Sequence, residues 1–205
     1  MSLANKIVSK LSEQEYLDGE LLSEIKHEYV DGQVYVMAGA SKNHERIVGN
    51  VLVGLKNNLK QEQSPCDVFS SDIKVRIADN NTAYFYPDVM VTCEPDDNDS
   101  EYYTNTPIII VEVLSKSTRK NDLSSKKLYY FNIPELQEYV LMEQDFCEVE
   151  VFRKSDDWKS TMYFLGDEIN FESINTTISV EDIYYHVKNE DMTNFLKEKE
   201  AELLD

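Results

Sequence analysis

The chain has 205 residues, 41% of them hydrophobic and 11% aromatic, which is enough apolar material for a single domain with its own core. Twenty Lys and Arg residues stand against 39 Asp and Glu residues, so the net charge is −19. A charge of this size repels polyanions and disfavours strong non-specific binding to nucleic acid, so chemistry on a phosphodiester would require bound cations.

The apolar runs and the cysteines indicate the compartment. No run reaches the roughly 18 residues that span a bilayer, and residues 1–12 lack the apolar centre of a signal peptide. We therefore expect a soluble, cytoplasmic protein with no membrane partner. Cys66, Cys93 and Cys147 are odd in number and widely spaced, which predicts buried reduced thiols and neither a disulfide framework nor a zinc cage.

The first third of the chain predicts a helix, a hairpin and a longer amphipathic helix. A capping-box pattern begins at Ser12, and the Asp31-Gly32 pair is typical of a hairpin turn. Either Ser41 or Asn43 is suited to cap the second helix, whose apolar residues recur at helical spacing. The predicted helices span 13–22 and 44–63, and the predicted hairpin spans 27–37.

Strands dominate the rest of the predicted structure. Pro87 predicts that one strand is interrupted or bent, because it cannot donate a ladder hydrogen bond. Glu112 is the one charge in a continuous apolar run, which is typical of a central strand buried on both faces. A helix is predicted from Ser117 or Thr118 to about residue 131. Strands are predicted over 73–77, 83–92, 108–114, 138–142, 148–152 and 158–165, a short helix over 180–187, and a charged helical tail over 192–204.

This order of elements predicts an α/β (α+β) fold in which a mixed central sheet is flanked by helices. We assign residues 1–187 to one domain and residues 188–205 to a charged C-terminal helical tail. The tail has no functional assignment.

Two carboxylates make up the candidate site. Asp88 follows Pro87 at the predicted bend, and Glu112 lies inside the apolar strand. Burying an ionised carboxylate without a partner costs several kcal/mol, so two acids on neighbouring strands favour a bound cation. Mg²⁺ suits them, because it takes one or two carboxylates, keeps several waters and completes its shell with phosphate oxygens. The metal would polarise the phosphate and lower the pKa of an attacking water.

A lysine two residues after the glutamate would be the conventional third catalytic group, but that position is Leu114. Asp122, Lys126 and Tyr130 are spaced to share one face of the following helix. Lys126 could therefore reach the carboxylates and stabilise charge that develops on phosphate. It could equally do no more than neutralise Asp122, and the sequence leaves both interpretations open.

Two other polar side chains receive structural interpretations. His44, at the start of the predicted helix, is interpreted as a capping or packing histidine in preference to a proton shuttle. Tyr130 is interpreted as a core residue whose hydroxyl could touch the site.

Five segments carry a resemblance to a known family. They are HEYVDGQVY (27–35), NHERIVGNVLVGL (43–55), YPDVMV (86–91), IIVEVLSKSTRKNDLSSKKLYY (109–130) and IPELQEYVLME (133–143). Over residues 13–184 the chain resembles the restriction endonuclease domain family, a branch of the PD-(D/E)XK nuclease superfamily. The most specific part is the EVLSxST stretch with its downstream Asp, Lys and Tyr.

The resemblance implies a restriction-endonuclease-like core with a divalent metal, Mg²⁺ or Mn²⁺, at one end of the sheet. It places the metal-binding acids at Asp88 and Glu112, and the family's relocated lysine at Lys126. Glu28 matches an acidic residue of the first hairpin that often joins such sites, although it could also be a surface charge at a strand edge. Family members often form homodimers, and many have no demonstrated activity.

Two functions follow as hypotheses. The first is a Mg²⁺-dependent endonuclease that hydrolyses DNA phosphodiester bonds. The second is a catalytically inactive nuclease-like fold that acts as a protein-binding or regulatory module, as the charge of −19 and Leu114 suggest. A DNA substrate would require basic residues to gather on the rim of the acidic site. The sequence candidates for that rim are Lys74, Arg76, Lys116, Arg119 and Lys120.

Overall fold

The computed structural model describes residues 10–78, 82–93, 100–115, 119, 122 and 126–202. The helices in these ranges are α1 (Glu13–Glu20), α2 (Lys42–Gln61), α3 (Lys127–Tyr130), α4 (Val180–Ile183) and α5 (Glu190–Glu202). The strands are β1 (His27–Val30), β2 (Gln33–Val36), β3 (Asp67–Phe69), β4 (Lys74–Ala78), β5 (Thr82–Phe85), β6 (Val89–Thr92), β7 (Tyr103–Thr104), β8 (Ile109–Leu114), β9 (Glu138–Glu143), β10 (Glu148–Arg153), β11 (Ser160–Phe164), β12 (Glu168–Phe171) and β13 (Thr176–Ser179).

A five-stranded sheet in the order β2-β1-β5-β4-β7 contains the predicted hairpin. Asp31 and Gly32 form its turn with φ angles of 49° and 91°, the left-handed values that a two-residue hairpin turn of this kind requires. Helix α1 begins at the predicted capping box, and Tyr16 from this helix stacks on Tyr29 of β1. The capping box and the hairpin are therefore confirmed.

A six-stranded sheet in the order β11-β10-β9-β8-β6-β3 forms the centre of the fold. Strand β8 is parallel to β9 and antiparallel to β6, and all six of its residues are buried, as the apolar run predicted. Helix α2 packs on one face through Ile47, Val51 and Leu55. The opposite face packs against the five-stranded sheet and α3. The prediction of a mixed central sheet with helices packed on it is confirmed.

The strand predicted over 83–92 is interrupted near Pro87, one of the two alternatives that the sequence left open, and this interruption matters for the site. The segment forms two strands: β5 belongs to the five-stranded sheet and β6 to the six-stranded sheet. The chain passes from one sheet to the other at Pro87, which has no N–H to continue a ladder. Asp88 consequently lies at the entrance to β6, where the two sheets meet.

The expectation that all three cysteines are reduced is wrong. Cys66 and Cys93 form a disulfide, while Cys147 is free and buried as expected. The register that pairs Asp67 of β3 with Thr92 of β6 places the two cysteines directly opposite each other at the next position. Sequence spacing could not show this neighbourhood, because it arises from strand pairing.

The C-terminal third holds a hairpin that was not predicted, β12 paired with β13. The sequence does contain the alternation typical of a strand, because the buried Ile169 and Phe171 alternate with polar residues. Helix α5 is confirmed as a helix, and its Met192 packs into the main core. The domain boundary between residues 187 and 188 stays a prediction.

Two further findings concern predicted segments. Ser117 and Thr118, the predicted caps of the helix after β8, lie outside the described residues. None of the described helices combines the length and apolar character needed to cross a bilayer.

Candidate active site

Strand pairing brings Asp88 next to Glu112. The antiparallel register joins Val89 to Val111, which places Asp88 across from Glu112 on the neighbouring strand. The Oδ2 atom of Asp88 accepts a hydrogen bond from the backbone N–H of Val113 at 2.7 Å, so this carboxylate is fixed to β8. With 16% of its side chain exposed, Asp88 lies at the open end of the site.

Glu112 is the deepest member of the site, with 4% of its side chain exposed. Its Oε1 atom accepts a hydrogen bond of 2.9 Å from the hydroxyl of Tyr130. Burial raises the pKa of Glu112 well above its ordinary value. The ammonium of Lys126 opposes this pKa shift, and the neighbouring carboxylates add to it. Glu112 therefore gives up its proton reluctantly unless positive charge is near.

Lys126 supplies positive charge from the segment that follows β8. Its Nζ atom lies 2.7 Å from Oε1 of Glu28, 3.4 Å from Oε1 of Glu112 and 3.4 Å from Oδ1 of Asp122. Burial lowers the pKa of Lys126, but three carboxylates, Glu112 foremost, raise it by more, so that the pKa lies above its ordinary value. The side chain is therefore held as an ammonium.

His44 joins the site from the first turn of α2. Its Nε2 atom lies 3.1 Å from Oδ2 of Asp88, while its backbone N–H donates to the hydroxyl of the capping Ser41. Burial lowers the pKa of His44, and the hydrogen bond and charge of Asp88 raise it by more. The capping interpretation of His44 missed this contact. No local signal could have shown it, since it depends on how α2 packs against β6.

The charges of the site leave an excess of buried carboxylate. Glu28, Asp88, Glu112 and Asp122 face one lysine and one histidine. A divalent cation would offset this excess, and Asp88 and Glu112 are the pair placed to hold it. In the described part of the chain no three His, Cys, Asp or Glu side chains form a ready-made metal cage. Mg²⁺ does not need such a cage, because waters and substrate oxygens complete its shell, so the two acids fit this metal.

The structure thus brings the four predicted site residues, Glu28, Asp88, Glu112 and Lys126, into one cluster. Their roles in binding a metal or in catalysis stay predictions. Glu28 is not a free surface charge, since it makes the shortest contact of Lys126. The structure agrees with both sequence interpretations of Lys126, the one that brings it to Glu112 and the one that pairs it with Asp122. Its Nζ atom lies 3.4 Å from a carboxylate oxygen of each. Leu114 packs in the apolar core and leaves the lysine position of β8 without a charge.

The predicted basic rim is not what the structure shows. Lys74 is buried beneath the ring of Tyr86, and Arg76 is paired with Glu13. Arg119 is paired with Glu143. Lys116 and Lys120 lie outside the described residues. Lys74 and Arg76 were wrongly assigned, because alternation within a strand shows which residues share a face but not which acids that face will meet.

Two sheets packed together, with a paired aspartate and glutamate at their junction and a buried lysine beside them, define a restriction-endonuclease-like protein. The family model described as "Uma2: Putative restriction endonuclease" matches residues 13–180, and the chain belongs to this family.

Relatives and a solved structure agree with this membership. "Uncharacterized protein slr1290" from Synechocystis sp. is 38% identical over 177 residues, which cover 85% of this chain and 92% of the relative. "Uncharacterized protein sll1609" from the same organism is 39% identical over 150 residues, covering 72% and 82%. The crystal structure of "a putative nuclease belonging to DUF820" from Anabaena variabilis has a TM-score of 0.68 at 16% identity and covers 83% of this chain and 96% of its own. At that identity the likeness shows the fold.

Proposed function

We propose that this protein is a Mg²⁺- or Mn²⁺-dependent endonuclease that hydrolyses phosphodiester bonds of DNA. One observation supports the proposal above all others: Asp88 and Glu112 lie on neighbouring strands, and a buried ammonium lies 3.4 Å from Glu112. A nuclease needs positive charge beside the reacting phosphate, and this site concentrates the carboxylates that recruit a metal together with a fixed cation.

Asp88 and Glu112 would hold the metal. When bound, the metal polarises a phosphoryl oxygen and lowers the pKa of a coordinated water. The protein's own contribution is to fix both acids before substrate arrives. Tyr130 donates to Glu112, and the Val113 N–H donates to Asp88, so each carboxylate keeps at least one oxygen in a defined position.

Lys126 acts through its charge. Because neighbouring carboxylates raise its pKa, the side chain remains an ammonium at neutral pH and cannot take a proton from the attacking water. Its role is to stabilise negative charge on the phosphate as that charge develops. Glu28 and Asp122 hold the ammonium in place and compensate its burial. The water's proton must therefore pass to a group other than Lys126.

DNA as the substrate, a homodimer as the active unit and a cytoplasmic location are parts of the same proposal. Family membership supports DNA as the substrate. Because the net charge is −19, DNA would contact the protein only where basic residues are concentrated. Light scattering of the purified chain tests the dimer directly. A monomeric mass at micromolar concentration would remove that part and leave the chemistry intact.

Cleavage assays test the proposal. The purified chain is incubated with supercoiled plasmid and with labelled single- and double-stranded oligonucleotides, in Mg²⁺, in Mn²⁺ and in chelator. We expect metal-dependent cleavage that falls at least about 100-fold in Asp88→Asn and in Glu112→Gln, equivalent to roughly 2.7 kcal/mol of barrier. Asp157→Asn and Glu200→Gln make the same chemical changes at exposed positions and should cleave normally. Activity that survives both site changes contradicts the mechanism.

A second candidate is a nuclease-like fold that binds a protein partner without turnover. One observation favours it: Lys126 contacts three of the four acids, so the chain itself offsets part of the negative charge of the cluster. Such a module would need neither metal nor DNA. Absence of cleavage combined with absence of metal binding would establish it over the nuclease.

A further inference from the structure

A cavity of about 640 Å³ lies outside the acidic cluster. Three basic side chains line it, those of Lys42, Arg46 and Lys188, together with the amides of Asn43 and Gln144. We call it the cationic cavity. One acid, Asp145, also lines it, so its side chains sum to a charge of about +2 in a protein whose total is −19. The sequence did not single out any of its charged residues.

The three cations are available to a ligand. Among the residues that the structure describes, no ion-pair partner is found for Lys42, Arg46 or Lys188. Other basic side chains do form ion pairs, namely Arg76, Lys126 and Arg153. Of the basic residues expected at the rim of the site, Arg76 and Arg119 are paired with acids, whereas these three are not. Unpaired cations that converge on a cavity favour an anionic ligand.

The cavity is held together by Asn43. Its side-chain carbonyl accepts the backbone N–H of Lys188 at 3.1 Å, and its amide donates to the carbonyl of the same residue at 2.9 Å. The carbonyl also accepts from Arg46 at 3.1 Å. A single side chain thus holds the guanidinium of Arg46 and fixes the backbone of Lys188 to the start of α2, although Lys188 is far away in the chain. Such preorganisation lowers the entropic cost of binding an anion.

The cationic cavity adjoins the acidic cluster. Ser41, which also lines the cavity, caps α2 and accepts from the N–H of His44, and His44 contacts Asp88. The first turn of α2 therefore carries both residues that line the cavity and the residue that contacts the cluster. Gln144 enters from the other side, directly after β9, the strand that pairs with the strand of Glu112.

We propose that the cationic cavity binds a backbone phosphate of the DNA strand, beside the phosphate that reacts. This inference rests on the proposed function for its substrate and adds the residues that recruit it. Every nucleotide of a strand carries a phosphate, so a strand with one phosphate at Asp88 and Glu112 presents further phosphates to the surface beside the site, where the cavity lies. The ligand chemistry is a phosphate monoanion within a polymer.

The test measures DNA binding without cleavage. Fluorescence anisotropy of a labelled DNA duplex, in chelator and over a range of salt concentrations, compares the full chain with the triple variant Lys42→Gln, Arg46→Gln and Lys188→Gln. The control triple, Lys60→Gln, Lys197→Gln and Lys199→Gln, removes the same charge from exposed positions elsewhere. Circular dichroism verifies that both variants fold. Inorganic phosphate is titrated into the same three proteins.

We expect the cavity triple to weaken DNA binding at least about 10-fold and to lower the slope of log affinity against log salt by about 1, the value for one lost phosphate contact, while the control triple stays within about twofold. Phosphate alone should bind only at millimolar concentration. Equal losses in both triples would overturn the proposal, as would tight phosphate binding with unchanged DNA affinity. If the cavity triple loses DNA binding but no protein cleaves DNA, the cavity stands and the proposed nuclease function fails.

Discussion

The Nζ atom of Lys126 lies 2.7 Å from Oε1 of Glu28. Glu28 belongs to the five-stranded sheet, and Glu112, which contacts the same ammonium, belongs to the six-stranded sheet. A single lysine therefore connects the two sheets at the place where the candidate site opens. Its removal should affect both folding and chemistry, and the two effects can be measured separately.

Replacing Lys126 with Met should destabilise the protein by about 3 to 5 kcal/mol, because three buried or half-buried carboxylates lose their counter-charge. Urea denaturation measures this free energy of unfolding. DNA cleavage should fall at least about 100-fold, even at temperatures where the variant is fully folded. Lys60→Met, at an exposed position of α2, should change neither quantity. A stable, active Lys126→Met protein would show that the lysine has no part in the site.

Replacing Glu112 with Gln should abolish cleavage and yet stabilise the metal-free protein at high pH. Burial raises the pKa of Glu112 in the folded state above the ordinary 4.5, so the folded protein binds this proton more tightly than the unfolded chain. Stability from this group is complete below about pH 4.5 and is lost as pH rises through the raised pKa. Glutamine cannot ionise, so the variant keeps its stability as the pH rises.

Thermal unfolding in chelator tests this pH dependence. At pH 8 we expect the midpoint of Glu112→Gln to exceed that of the unmodified protein by about 2 to 4 °C, which corresponds to roughly 1 kcal/mol. The difference should shrink towards pH 4.5. Glu200→Gln should follow the unmodified protein at every pH. A midpoint for Glu112→Gln below that of the parent at pH 8 would mean that Lys126 fully compensates the buried charge.

Replacing His44 with Asn should weaken metal binding about 10- to 100-fold, because His44 fixes the carboxylate that would hold the metal. His44 is here a positioning residue, and the informative readout is Mn²⁺ affinity, which a purely structural histidine would not change. His186→Asn is the matched control, since His186 is exposed and its φ of 60° suits asparagine. Equal Mn²⁺ affinity in the two variants would contradict this role.

Reducing the disulfide between Cys66 and Cys93 should destabilise the protein by about 2 to 4 kcal/mol, since it closes a loop with a sequence separation of 27. Urea denaturation with and without reductant measures the change, and the Cys66→Ser, Cys93→Ser double variant should match the reduced protein. Cys147→Ala leaves the bridge in place and should remain sensitive to reductant. Indifference of the parent protein to reductant would show that the two thiols are not bridged in solution.

Local sequence patterns predicted most of the secondary structure. The capping box at Ser12, the hairpin at Asp31 and the buried strand around Glu112 depend on neighbours within a few residues, and the structure has all three. The sequence predicted an interruption or a bend at Pro87 but not the change of sheet, because recognising a change of sheet requires knowledge of strand partners. The disulfide was missed for the same reason.

The residues of the candidate site also fall into two groups, those that local patterns predict and those that only the packing of distant segments brings in. An acid inside an apolar strand marks Glu112 without reference to anything else, and helical spacing placed Lys126 near Asp122. The contact of His44 with Asp88 and the gathering of Lys42 and Lys188 around one cavity arise from packing between distant segments. Charge type and spacing along the chain do not contain that information.

Calorimetric titration of Mn²⁺ into the purified, chelator-treated chain tests the central claim most directly, namely that Asp88 and Glu112 together hold a divalent metal. We predict one saturable site of micromolar affinity per chain, abolished in the Asp88→Asn, Glu112→Gln double variant and retained in the Asp157→Asn, Glu200→Gln control. A titration without a binding isotherm, or one in which the double variant binds as the parent does, would contradict it.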